Sequence, residues 1–311
     1  MLAGSRLFTS VRVVAQTGST NADLLALARG GAAAGAVLVA EEQTAGRGRL
    51  NRSWQSQPGA ALTFSVLLRP TIVPPANRGW LPLLTGVAVA SALRAETGVD
   101  ARLKWPNDVL AGAGPPVLSG AGTPVLSSAG TPVLSGAGTP TGRHRPGAAP
   151  VGSAPGGCSD GREHANDRPL GGGKLAGILA EQAAGAVVVG IGLNVSSTRE
   201  ELPSEQATSL WLAGAAAPGR ESILVAILRQ LEHWYLRWAE GPDPGDAIAS
   251  GLRSEYLRWC ATVGRDVRVE LPGGGILTGR ASDVDSVGQL VIRTGDGSLR
   301  PVSAGDVVHV R

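Results

Sequence analysis

The sequence predicts a mixed α/β domain followed by a small β-barrel, and three observations predict it. Runs rich in β-branched residues alternate with Ala/Leu-rich segments through residues 1–110 and again from Lys174, as strands and helices around one sheet do. From about Val263 the segments shorten and glycine turns separate them, the spacing of a small barrel. The 311 residues, 43% hydrophobic and 17% charged, suit a globular chain with a substantial core. The expected layout is a domain over 1–261, interrupted at about 111–173, and a second over 262–311.

Taken in order, "STNADLLALARGG" reads as a helix. Thr20 and Asp23 have capping-box spacing, Leu24, Leu25, Leu27 and Ala28 form an apolar face, and Gly30-Gly31 stop it. "AVLVAEEQ" and "LTFSVLLRP" read as buried strands, and "GWLPLLTGVAVASALRAETG" as a core helix. In "LKWPNDVL", Pro106 and Asn107 mark a turn after a strand. The interrupting segment repeats "PVLSGAGT" every eight residues from Pro116 and is dominated by Gly, Pro, Ser and Ala. It lacks the apolar density to offset its ordering entropy, so a mobile insertion is expected. "KLAGILAEQ" and "AVVVGIGLNV" are two further apolar strands. "ESILVAILRQLEHWYLRWAEG" is an amphipathic helix whose Trp234 and Trp238 read as core.

Composition removes several function classes. Cys158 and Cys260 cannot make a disulfide framework, and neither sits in a CxxC pair. His144, His164 and Cys158 are too irregularly spaced for a metal site. No signal-peptide core and no apolar run of ~20 residues is present, so a cytoplasmic location is expected. A net charge of +3 permits an anionic ligand but is too small to argue for nucleic acid. The four histidines do not suggest a Ser–His nucleophile, which leaves positioning and electrostatics as the expected mode of catalysis.

Five short stretches carry the chemistry. In "EEQTAGRGRLNRSWQS", Gly46 and Gly48 let backbone approach a ligand while Arg47, Arg49 and Arg52 offer forked charge; a solvated basic loop reads equally well. "KWPND" displays a cation, an amide and a carboxylate on one turn, or is an ordinary turn with a core tryptophan. Lys174 at the start of "KLAGILAE" is a point charge for an anion, or an exposed strand end. Glycines inside "GIGLNV" imply close approach to a ligand, or a bulge. Ser19-Thr20-Asn21 cap a helix and could also hold a small polar ligand.

In this order, "GSTN", "EEQTAGRGRLNRSW", "KWPNDV", "KLAGILAE" and "GIGLNV" resemble the biotin–protein ligase family, over residues 10–110 and 174–311. The resemblance implies a mixed-sheet catalytic domain related to class II aminoacyl-tRNA synthetases, followed by an SH3-like domain. It implies an ATP-dependent ligase, using Mg²⁺, that forms biotinoyl-5′-AMP and then biotinylates a lysine of a biotin carboxyl carrier protein. Carried over by position, Ser19, Thr20, Asn21 and Gln43 would hold the biotin head group, with Gly192 as a pocket wall. Arg47, Gly48 and Arg49 would close over biotin and phosphates, and Lys174 would touch the biotin carboxylate and the α-phosphate. Trp54 would stack on adenine. Arg52, Lys104, Asn107 and Asn194 would contact the nucleotide, and Asp108 would lie near the Mg²⁺. Arg47, Arg49, Asp108 and Lys174 are thus the expected catalytic residues.

Some family members also carry an N-terminal winged helix and bind DNA. Only about ten residues precede the first expected strand, so no sequence-specific DNA binding is expected. Lipoate–protein ligases share the fold, but their R-R-x-x-G-G-G-x-V-x-H pattern is absent. A non-catalytic biotin or adenylate sensor would retain most of the same residues.

Overall fold

Alternate residues of the central strands join different cores, and that explains how the chain is layered. The computed structural model describes residues 4–112, 172–216 and 219–310; the eight-residue repeats and the expected insertion, apart from its ends, lie outside them. Strands β1 (Ser10–Thr17), β2 (Ala36–Gln43), β3 (Ala61–Leu68), β4 (Ala101–Lys104), β5 (Asp108–Ala111), β6 (Lys174–Ala183) and β7 (Ala186–Asn194) form one sheet in the order β1-β2-β3-β7-β6-β5-β4. The β1–β2 pair is parallel and every other pair antiparallel, so the sheet is mixed as expected. All eight residues of β3 are buried because helices cover both faces of the sheet.

The two faces are chemically different. Val37, Val39, Leu62, Phe64, Val66, Val189 and Ile191 join the main core under α2 (Trp80–Thr97) and α3 (Arg220–Ala239). Helix α2 is buried nearly all round, as its uniformly apolar sequence demands. On α3, Trp238 is fully buried while Trp234 is only half-buried against the core. The alternate residues Leu38, Leu67 and Val188 pack beneath α1 (Thr20–Arg29) on the opposite face. The N-cap of α1 is Ser19, whose side chain accepts from the Ala22 N–H, so the capping-box spacing of Thr20 and Asp23 is not used. Thr20 turns inward instead.

The last fifty residues form a second, antiparallel sheet. Strands β8 (Asp266–Glu270), β9 (Ile276–Val284), β10 (Leu290–Arg293), β11 (Leu299–Val302) and β12 (Asp306–Val310) run in the order β11-β10-β9-β8-β12. Helix α4 (Leu252–Trp259), which the sequence pattern did not announce, leads into it. Helix α2 and the turn after β4 are tied to this sheet's β9–β10 turn, by Trp80 Nε1 donating to Ser286 O at 2.9 Å and Trp105 Nε1 to Gly288 O at 3.1 Å. Among the described residues, no helix is long and apolar enough to cross a membrane.

A pH dependence is built into this junction. The Trp105 N–H donates to Thr262 Oγ1 at 3.1 Å, and that hydroxyl lies 3.2 Å from His309 Nε2. The neutral imidazole can accept from Thr262, whereas a protonated ring cannot. Burial, then Lys104 and Arg265, push His309 down to about 4 from the ordinary 6.5. Acidification from 6.5 towards 4 therefore protonates the unfolded chain but not the folded one, and stability falls across that window. His309→Gln is expected to lose less stability than wild type between pH 7 and 5, read as urea midpoints. Equal losses would remove His309 as the cause.

Candidate active site

The site lies on the α1 face of the large sheet, and register builds its floor. Thr63 of β3 pairs with Gly192 of β7, which pairs with Gly177 of β6; one row along, Ser65 pairs with Gly190 and Gly190 with Leu179. The missing side chains at 177, 190 and 192 leave a trough across three strands. A Cβ on Gly190 would drive into the Asn21 amide, and one on Gly192 into the Trp54 indole.

The head of the trough is a locked polar network. Gln43 Oε1 accepts from the Thr20 N–H at 2.8 Å and lies 3.1 Å from Thr20 Oγ1. Thr20 Oγ1 is 2.7 Å from Ser65 Oγ, which donates to Asn21 Oδ1 at 2.6 Å. The Asn21 Nδ2 group donates to Leu179 O at 3.2 Å and to Glu181 Oε2 at 2.8 Å. Both amide ends are thereby assigned, and Asn21 cannot flip without losing a partner. Sequence reasoning missed Ser65 and Glu181. Ser65 had a signal: it is a hydroxyl inside the otherwise apolar run "FSVLL", fully buried and therefore obliged to find partners.

The other end of the trough is cationic. Arg47, Arg49, Arg52 and Lys174 line it, with Asp108 and Asp306 as its carboxylates among the described residues. Arg49 donates to Asn107 Oδ1 at 3.1 Å, and Asn107 in turn donates to Ile178 O at 3.0 Å. Lys174 Nζ lies 2.6 Å from Asp108 Oδ1, off the hydrogen-bonding axis, so that oxygen is buried in a charge contact without a directed donor. Arg49 and Lys174, 125 positions apart, thus converge on two consecutive residues. Burial lowers the Arg49 pKa, opposed by Asp108 and assisted by Arg52. Arg52 is paired with Asp306, and Arg49 also reaches Gly305 O at 3.5 Å, so the second sheet closes one side of the site. Asp306 had no local sequence signal.

Three expected contacts are placed differently. Lys104 lies outside the pocket lining, and burial is the main force lowering its pKa. Asn194 is buried and donates to Thr208 O at 2.9 Å rather than facing the trough. Trp54 does line the pocket, but its indole lies on Gly192 and close to Gly177, with Nε1 buried and unpartnered. That ring leaves a cavity of about 130 Å³, well below the ~300 Å³ of an ordinary small-molecule site. The remaining expected residues, Ser19 and Gly48 included, all border the same pocket.

Cations gathered at one end of a glycine-floored trough, with a fixed amide at the other, suit a small acid lying against a phosphate chain. That is the class of acid-activating ligases. Residues 13–123 match the biotin/lipoate A/B protein ligase family, and residues 262–310 match the biotin protein ligase C-terminal domain. The chain is 40% identical over 307 residues to the biotin–[acetyl-CoA-carboxylase] ligase of Mycobacterium tuberculosis, covering 96% of this chain and 88% of that one. It is 27% identical over 289 residues to the bifunctional ligase/repressor BirA of Bacillus spizizenii, covering 89% and 67% respectively. The fold is that of the Aquifex aeolicus biotin protein ligase solved with biotin and ATP, with a TM-score of 0.65 and 24% identity over 98% of this chain and 100% of that one. The chain belongs to the biotin protein ligase family.

Proposed function

We infer that this chain is an ATP-dependent biotin–protein ligase whose acceptor is a biotin carboxyl carrier protein of an acyl-CoA carboxylase. The observation that carries the reading is the meeting of Arg49 and Lys174 on Asn107 and Asp108 beside the glycine floor. Biotin and a triphosphate are both anions and repel one another; these cations offset that repulsion and stabilise charge developing at the α-phosphate.

In the first step the biotin carboxylate oxygen attacks the α-phosphorus, and the bond to the bridging oxygen breaks to release pyrophosphate. Lys174 and Arg49 hold the reacting oxygens, while Thr20, Asn21 and Gln43 fix the ring system at the far end. In the second step a carrier lysine amine attacks the acyl carbon, an amide forms and AMP leaves with the C–O electrons. Asp108 is the proposed acceptor for the nitrogen's surplus proton. Mg²⁺ would be held mainly by phosphate oxygens, with Asp108 supplying at most its second carboxylate oxygen, since Oδ1 is taken up by Lys174. Bound there, the ion would neutralise phosphate charge.

The reading assigns a carrier protein as the macromolecular partner, in the cytoplasm. Pyrophosphate release requiring both biotin and ATP, with transfer of labelled biotin to a carrier domain, is the expected result. Biotin binding without pyrophosphate would make the chain a sensor.

The small cavity under Trp54 supports the loop 44–54 as a lid that must move for ligand to enter. Its amide exchange is expected to slow when biotin and ATP are both present. Exchange unchanged from the empty protein would end the lid reading.

A further inference from the structure

Glu181, near the end of β6, contacts both the head-group network and the arginine loop. Its Oε2 accepts from Asn21 Nδ2 at 2.8 Å and from Arg47 Nη2 at 3.3 Å, and its Oε1 also lies 3.2 Å from that Nη2. Arg47 is not a free end of chain: its backbone bridges to Ser53, so its position is the position of the loop hairpin. Arg49 on Asn107, Arg52 on Asp306 and Trp54 over Gly192 hold the far side of the loop, and the Glu181 contact holds the side above β6. A cleft of about 360 Å³ separates Arg47, Gly48, Arg49 and Leu50 from Leu179 and Glu181 on β6, and Leu50 is itself exposed with φ of 54°. The Arg47–Glu181 pair therefore spans a gap that apolar packing does not fill.

We propose that Glu181 is a positioning residue that straps the loop to the sheet and, with the same carboxylate, fixes the Asn21 amide for the head group. One oxygen orients Asn21, so that Oδ1 faces Ser65 and the trough. That oxygen also accepts from Arg47, with the second oxygen close to the same guanidinium, so that the loop stays over whatever fills the trough. This inference rests on the biotin-ligase reading for its ligand, but its loop arm can be tested without any ligand.

Glu181→Gln keeps an acceptor for Asn21 and removes the charge that Arg47 needs; Glu181→Ala removes both. In the full chain without ligand, amide exchange over 44–54 is expected to quicken about fivefold in the Gln variant, the scale of one partly exposed ion pair. Preformed biotinoyl-5′-AMP is expected to escape from that variant faster by a similar factor, with biotin affinity within about twofold of wild type. The Ala variant is expected to lose biotin affinity about tenfold as well, because the amide is no longer held. Wild-type exchange over the loop in the unliganded Gln variant overturns the strap. So does wild-type adenylate retention in that variant, or a lowered melting temperature in both variants with escape and affinity unchanged. If the wild-type chain makes no adenylate, the ligase reading fails, while the exchange measurement still decides the strap.

Discussion

Replacing Lys174 by alanine is expected to cut the rate of biotinoyl-5′-AMP formation by about 10²–10³, the ~2–4 kcal/mol of one preorganised charge contact at a transition state. The reason lies in where the ammonium sits. Its side chain passes over Gly177 and ends 2.6 Å from Asp108, at the cationic end of the trough. The arginines around it are already engaged: Arg49 is held by Asn107 and Gly305, Arg52 by Asp306, and Arg47 by Glu181. The fold should survive, because the Lys174 side chain is 34% exposed and water can reach the carboxylate it leaves. Single-turnover pyrophosphate release, read beside a thermal melt, separates the two effects. Arg49→Ala is expected to behave alike, with some added loss because Asn107 would give up its donor. Near-normal adenylation in either variant would overturn the role assignment.

Gly192→Val is expected to weaken biotin binding by ~10–100-fold, the affinity equivalent of the ~1–3 kcal/mol typical of overpacking a tight site. The added Cβ meets the Trp54 indole directly. Strand β7 cannot move away, since β3 and β6 bind it on both sides. The ring would be pushed further into a trough that already has little room. Gly295→Ala is the control, because nothing lies within 4 Å of its Cβ position. Calorimetric biotin titration of both variants measures the difference. Wild-type affinity in Gly192→Val would place the biotin ring system elsewhere.

Much of the fold was legible because its signals are local. The buried strands β2, β3, β6 and β7 show as apolar runs, and α1 ends at the Gly30-Gly31 pair the sequence displays. Helix α4 was not legible: it has eight residues, of which only Leu252 and Tyr256 are buried, too few to print a period. Motif position predicted which residues come near the trough, yet not how each is used. Asn194 ends its strand as expected, but its amide serves Thr208 O. Lys104 pairs with Asp108 across β4 and β5 and feels its charge, yet it does not line the pocket.

What the sequence by itself determined is therefore the strands, the helices and the motifs, because hydrophobic period, caps and turns act within a few residues. Only the tertiary structure decided which charges meet. Arg52 finds Asp306 at a separation of 254 residues, Arg47 finds Glu181 at 134, and Trp54 settles on Gly192. Those pairings depend on strand register and on how the second sheet docks, and neither leaves a mark in any short stretch of chain.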